Sequence, residues 1–175
     1  MEKVLSRPQS MLDVYKLLPE GTPIQLINNR LYMSPAPRFT HFDVVKKIFK
    51  QLEELVTNHN LGIVAFAPVD VYLGNNNAVQ PDVFFVANEN AHFIKDDGVH
   101  GAPDIIVEVL SPGNKNDDLI KKKHQYEKYG VKEYFIVDAD DKTVVTYYLK
   151  NNKYVLQKSV KGKLKTKLLN TVFTF

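Results

Sequence analysis

Pro103-Asp104-Ile105-Ile106-Val107-Glu108-Val109-Leu110-Ser111-Pro112 is the stretch from which the rest of the chain is best read. Ile105, Ile106, Val107, Val109 and Leu110 put aliphatic side chains on both sides of an extended backbone, the pattern of a strand buried on both faces. Glu108 interrupts that run. A carboxylate taken out of water costs several kcal/mol unless it is paired, protonated or bound to a metal. The strand therefore predicts a partner for Glu108, either a cation or a lysine. Ser111-Pro112-Gly113 ends it, and a polar, lysine-rich helix follows.

The 175 residues suit one compact domain of mixed α+β type with a real core. With 44% hydrophobic and 25% charged residues, the composition is that of a soluble globular protein. The absence of cysteine excludes disulfides, thiolate zinc sites and thiol nucleophiles, and fits a reducing compartment. No apolar run reaches the roughly 18 residues that span a bilayer, and the N-terminus has no signal-peptide core. A cytoplasmic protein with no membrane partner is the expectation. A net charge of +3 neither establishes nor opposes nucleic-acid binding.

Around the central strand the pattern gives a first short amphipathic helix (Met11, Val14, Tyr15, Leu18). A hairpin follows, Ile24–Ile27 and Arg30–Met33 turning at Asn28-Asn29, which reads as scaffold. Ser34-Pro35-Ala36-Pro37 breaks the chain. The next helix is expected to start at Thr40 as N-cap, with Asp43 three residues on, and to present Phe42, Val45, Ile48, Phe49, Leu52, Leu55 and Val56 as its apolar face, ending at Asn60-Leu61-Gly62. His41 would then open the helix, and its position alone favours a solvated side chain. Ile63–Leu73 and Ala78–Val86 read as two strands, the second carrying Gln80-Pro81-Asp82, where proline favours a strand start or bulge. Residues 87–102 read as loop with at most one short helix. After the central strand, Asn116 or Asp117 caps a helix to about Tyr129, with Gly130 following it. Leu119, Ile120, Tyr126 and Tyr129 define its apolar arc. Lys121 falls on the far side, while Lys122 and Lys123 both fall in or beside the arc, so helical geometry leaves the two open. Strands over 132–138, 143–149 and 154–156 complete the pattern. Gly162–Phe175 reads as an edge strand or ribbon whose lysines blunt an edge.

Asp82 at a strand start, Glu108 within a buried strand and a lysine from the next helix form an oxygen-rich site suited to Mg²⁺ or Mn²⁺. A lysine beside it can position a water or stabilise charge developing on a phosphate. That is the equipment of a metal-dependent phosphodiesterase.

Several motifs in order are similar to one family. They are Ser34-Pro35-Ala36-Pro37 with His41, Ala67-Pro68-Val69-Asp70-Val71, Pro81-Asp82-Val83, Gly101-Ala102-Pro103-Asp104 leading into Glu108-Val109-Leu110-Ser111-Pro112, Asp118-Leu119 with Lys122 and Tyr126, and Gly130-Val131 with Glu133-Tyr134 and Val137-Asp138. From about residue 10 to the end the chain resembles the Uma2 family, bacterial endonucleases of the restriction-endonuclease-like, PD-(D/E)XK superfamily. The resemblance implies a mixed central sheet flanked by helices. It divides the single nuclease domain 1–175 into an N-terminal helix and hairpin (1–33), a nuclease core (34–138) and C-terminal strands (139–175). It implies Asp82, Glu108 and Lys122 as catalytic residues, with Asp82, Glu108, the Val109 carbonyl and His41 toward a metal, Mg²⁺ with Mn²⁺ as its substitute. DNA would be the partner, and members of the superfamily often work as homodimers. Two departures stand out. Leu110 fills the position where the superfamily usually has its lysine, which here comes from the following helix as Lys122. Gln25 and Asn29 replace the Glu and Gly more usual in the hairpin.

The resemblance implies a metal-dependent DNA endonuclease. The alternatives are a catalytically inactive DNA-binding or assembly module that keeps the fold, and a metal-dependent phosphohydrolase acting on nucleotides or RNA.

Overall fold

The computed structural model describes residues 7–34, 36–110 and 117–175, with only the backbone given at 117–119. Its elements run α1 (Met11–Lys16), β1 (Ile24–Ile27), β2 (Arg30–Met33), α2 (Phe39–Asn58), β3 (Gly62–Phe66), β4 (Val71–Tyr72), β5 (Ala78–Val79), β6 (Val83–Ala87), a 3₁₀ turn (Asn88–Phe93), β7 (Ile94–Lys95), β8 (Gly98–Val99), β9 (Ile105–Leu110), α3 (Asp117–Tyr129), β10 (Glu133–Asp138), β11 (Thr143–Lys150), β12 (Lys153–Leu156), β13 (Val160–Lys161), β14 (Lys163–Thr166) and β15 (Thr171–Thr174). This is the α+β architecture the sequence leads to, a mixed sheet with flanking helices, an N-terminal hairpin and C-terminal strands.

The main sheet has the order β12-β11-β10-β9-β6-β3, with β13 also on β11. β9 lies inside it, parallel to β10 and antiparallel to β6. Its alternation divides the core. Ile105, Val107 and Val109 pack with Val44, Ile48, Leu52 and Val56 of α2. Ile106 turns the other way and packs with Tyr126 of α3, Tyr134, and Val71, Val79 and Ile27 of the second sheet, whose order is β2-β1-β5-β4-β8-β7. Each fully buried aliphatic side chain in these layers contributes about 1.5–3 kcal/mol. Burial on both faces is why β9 reads as an unbroken apolar run.

Where propensity and turn chemistry act locally, sequence and structure agree. Ser10 and Asp13 close a capping box on α1. Asn28 and Asn29 take φ of 51° and 60°, the two positive values that a two-residue hairpin turn requires. Gly130 follows α3 at φ 90°. The Asn116 cap and the Ser111-Pro112-Gly113 break lie outside the described residues, as do Pro35 and the Leu119 side chain.

Four expectations are corrected. Helix α2 begins at Phe39, with extended Arg38 before it and no side-chain cap, instead of at a Thr40 cap. His41 falls in one buried stripe with Val44, Ile48, Leu52 and Val56 by its helical spacing, and Phe42 is half exposed. The span 63–73 is two strands in different sheets, as is 78–86. The breaks fall at Pro68 and Pro81, which have no N–H to give a ladder. The span 87–102, read as loop, carries the small hairpin β7–β8. Ile120, placed in the apolar arc of α3, is exposed.

The C-terminal segment forms a separate ribbon, β14 paired with β15. Leu164 and Phe173 turn into the core beneath α2, while Lys163 and Lys165 face solvent. Glu133 of β10 fixes the turn of this ribbon, its Oε1 accepting from the Lys167 and Leu168 amides at 2.8 Å each. Burial is the leading influence on Glu133 and raises its carboxyl above the ordinary value, against hydrogen bonds that favour the ion. A raised folded pKa means that the stability linked to the neutral form is complete below the unfolded value and is lost as pH rises through the folded one. Glu133→Gln keeps an acceptor oxygen and cannot ionise. Its stability relative to wild type is expected to increase from about pH 4 to about pH 8 in urea unfolding. A difference that does not change with pH would contradict this.

Candidate active site

The register of β6 on β9 pairs Phe84 with Ile106 and Val83 with Val107. Continued by one residue, it sets Asp82 opposite Glu108. Like charges facing each other across a ladder repel, so this register creates a demand for positive charge. Two side chains meet it. Lys122 Nζ, from α3, donates to both Glu108 oxygens at 2.9 Å. His41 Nε2, from the start of α2, stands 3.3 Å from Asp82 Oδ2.

Glu108 and Lys122 are both buried, with side chains 8% exposed. Tyr126 adds a third donor, its hydroxyl 2.7 Å from Glu108 Oε1. Lys122 and Tyr126 are four residues apart, one turn of helix, so they reach the same carboxylate from one face. Lys123 instead lies 4.7 Å over the Tyr147 ring, and Lys121 4.7 Å over the Tyr32 ring. Burial pushes the Glu108 carboxyl up. Lys122 pulls it back, the Asp82 charge adds to the rise, and the balance lies above the usual carboxylate value. Behind the pair, Tyr126 meets Tyr134 edge to face at 5.0 Å, which keeps water away from that side.

Asp82 is held by the backbone, its Oδ2 accepting from the Val109 amide at 2.7 Å. His41 is buried and not solvated as its position had led us to expect. Burial alone would lower its pKa, but the Asp82 carboxylate in contact, with the Val109 carbonyl and the Glu108 charge beyond, more than offsets this, and the imidazole lies above its ordinary value. His41 Nδ1 is buried with no hydrogen-bond partner among the described residues. The groups that sequence reasoning assigned to a metal are therefore near neighbours in space. Leu110 only lines the cleft.

These side chains open on a cleft of about 520 Å³ whose opposite wall is the β1–β2 hairpin, with Gln25, Ile27, Tyr32 and Met33. The hairpin is thus part of the site, which corrects its reading as scaffold. Its turn is tied in place from two sides. Gln125 of α3 donates to Asn28 Oδ1 at 2.8 Å, and Asn77 Oδ1 accepts from the Asn28 amide at 2.9 Å. Gln25 Nε2 donates to Ser34 Oγ at 2.7 Å and its Oε1 accepts from the Gln80 amide at 3.1 Å. Gln80 in turn donates to Asp70 Oδ1 at 2.9 Å. Sequence reasoning missed Gln80 and Tyr126 as site residues. The spacing of Tyr126 from Lys122 carried the signal for the second, and nothing local marked the first.

Asp104, in the chain's other Pro-Asp dipeptide, serves a different purpose. It is 1% exposed and accepts from the Ala87 amide at 2.8 Å and Asn90 Nδ2 at 3.0 Å, with Lys132 Nζ at 2.8 Å. It pins the 3₁₀ turn to the sheet. Asp82 faces the cleft instead.

Among the described residues, no three His, Asp or Glu side chains form a group that could hold a metal ion. Two hard carboxylates lining one cleft fit a cation that keeps most of its shell as water and substrate oxygen. That is the habit of Mg²⁺, and it needs no closed protein cage. Among the described residues no helix is long and apolar enough to cross a membrane.

A family model described as "Uma2: Putative restriction endonuclease" matches residues 11–172. No curated protein matches the sequence. Among solved structures, a crystal structure described as "a putative nuclease belonging to DUF820" from Anabaena variabilis ATCC 29413 superposes with a TM-score of 0.76, covering 93% of this chain and 92% of its own at 17% identity. At that identity the likeness shows the fold.

Removing one member of a buried pair leaves the other charge uncompensated, at a cost of about 3–5 kcal/mol. Lys122→Met is expected to lose stability on that scale, and Glu108→Gln/Lys122→Met to recover most of it, in urea unfolding. A double variant no more stable than the single would show that the pair is not what holds α3 on β9.

Proposed function

The chain belongs to the Uma2 family, and from that premise we propose that it is a metal-dependent DNA endonuclease that hydrolyses phosphodiester bonds in the cleft between α3, β9 and the β1–β2 hairpin. The observation that carries this reading is the Lys122 ammonium on both oxygens of a buried Glu108, with Asp82 beside it and open space in front.

Asp82 and Glu108 would hold Mg²⁺, or Mn²⁺ in its place, with the Val109 carbonyl and His41 as further donors. When bound, the cation supplies Lewis-acid chemistry, neutralising charge that develops on the phosphoryl group. The rest falls to the chain. Lys122, one hydrogen-bond length from Glu108, orients the attacking water or stabilises a phosphate oxygen as charge builds there. The new bond joins water oxygen to phosphorus and the bond from phosphorus to the leaving sugar oxygen breaks, the proton that the water gives up passing to solvent in the open cleft and the leaving oxygen taking one from it. The Tyr126 hydroxyl holds the Glu108 carboxylate in one rotamer while Lys122 shifts. His41 fixes Asp82 and keeps its charge balanced until substrate arrives. This reading takes DNA as partner and, where both strands are cut, a homodimer as the working form.

A second reading has one specific observation in its favour. Gln25 stands in the cleft wall where the family more usually has an acid, and its amide is already committed to Ser34 and Gln80. A protein that binds DNA without turning it over would look like this.

Plasmid incubated with Mg²⁺ or Mn²⁺ separates the two. Wild type is expected to nick or linearise it, and Glu108→Ala and Lys122→Met to be slower by about 10²–10³-fold, the usual loss for one charge-stabilising group. Equal cleavage by wild type and variants, or none by wild type with either metal, would contradict the endonuclease reading. A wild-type protein that neither cuts nor gives Mn²⁺ binding heat would support the second.

A further inference from the structure

Next to the cleft, the surface between the first half of α2 and the edge strand β3 carries more aromatic area than packing requires. Phe39 is 79% exposed, Phe42 53% and Phe66 49%. Phe42, Val45, Phe49 and Phe66 line a groove of about 440 Å³. Phe49 and Phe66 meet edge to face at 4.6 Å and form its floor, and Phe39 lies 5.9 Å from Phe42 at its rim. The polar side chains that line it are His41, Asp82 and Lys46.

We propose that this groove is a stacking site for an unpaired nucleobase, so that the preferred substrate is single-stranded or locally opened DNA. The assignment of a cleaved strand rests on the nuclease reading, while the binding does not. Three features argue for this occupant. The groove shares His41 and Asp82 with the cleft, so a strand with a phosphate at the carboxylates has its neighbouring base within reach of the phenylalanines. The walls offer rings and almost no hydrogen-bonding groups, so they suit the face of a base and not its edge. A base frees its face only when it is unstacked, and stacking on aromatic side chains is how single strands are held without sequence preference. Lys46, which also lines the groove, provides a positive charge for a neighbouring phosphate. A second copy of the chain seated here would instead cover Asp82 and shut the cleft.

The test is fluorescence anisotropy in EDTA, where cleavage cannot intervene, with a labelled thymidine oligonucleotide and a duplex of equal length. Wild type is expected to bind the single strand more tightly than the duplex. Phe42→Ala and Phe39→Ala are expected to weaken the single strand by roughly tenfold, the scale of one stacked base, and to leave the duplex unchanged. Phe42→Trp, which keeps a stacking face, is expected to bind like wild type. Equal affinity for both forms, or alanine variants that match wild type, would overturn the proposal. A wild-type dimer in light scattering that Phe42→Ala converts to monomer would also overturn it, by giving the groove to a second copy. Plasmid cleavage measured on the same samples keeps the two readings apart. Ring-dependent strand binding without cleavage upholds the stacking site and removes the nuclease. Cleavage with ring-independent binding does the reverse.

Discussion

Two acids meeting just before the start of β6 and in the middle of β9 is the constraint on which the rest of the structure depends. The strand register that buries Val83 against Val107 also brings Asp82 to Glu108. Neither carboxylate can move away without shifting the apolar residues that share its strand, because a slip of one position turns every side chain to the other face. The repulsion has to be met where it stands. Helix α3 meets it with Lys122 and Tyr126, and α2 with His41. Both helices are therefore oriented by the same pair of charges, and Gln125 carries that orientation on to the hairpin that walls the cleft.

Much of this was legible in the sequence, because the strongest signals were local. An apolar run with one acid in it gave β9 and the need for a partner. Asn28-Asn29 gave a hairpin turn, and Gly130 the end of α3. What the sequence did not show depends on partners distant in the chain. β4 and β5 are two-residue strands that exist because the second sheet receives them, so 63–73 and 78–86 look continuous in sequence although Pro68 and Pro81 hand the chain from one sheet to the other. His41 looked solvated because it opens the helix, yet its spacing of three and seven residues from Val44 and Ile48 puts it on their buried stripe.

The choice between Lys122 and Lys123 shows the same limit. A step of 100° per residue leaves both near the apolar arc, and family resemblance alone favoured Lys122. In the fold the difference is the neighbour each one meets. Lys122 reaches Glu108, while Lys123 lies over the Tyr147 ring. The two Pro-Asp dipeptides diverge for a similar reason. Asp104 is held by the Ala87 amide, Asn90 and Lys132, while Asp82 keeps access to the cleft. Identical local sequence acquires different chemistry from what packs over it.

The account's central claim is that the cleft holds its carboxylates ready for a divalent cation, with Lys122 as the charge that keeps its place. A crystal structure at saturating Mn²⁺ tests this most directly through anomalous scattering. The account predicts a Mn²⁺ peak touching Asp82 and Glu108, with Lys122 withdrawn from at least one Glu108 oxygen. No peak in the cleft, with Lys122 still on both oxygens, would contradict it.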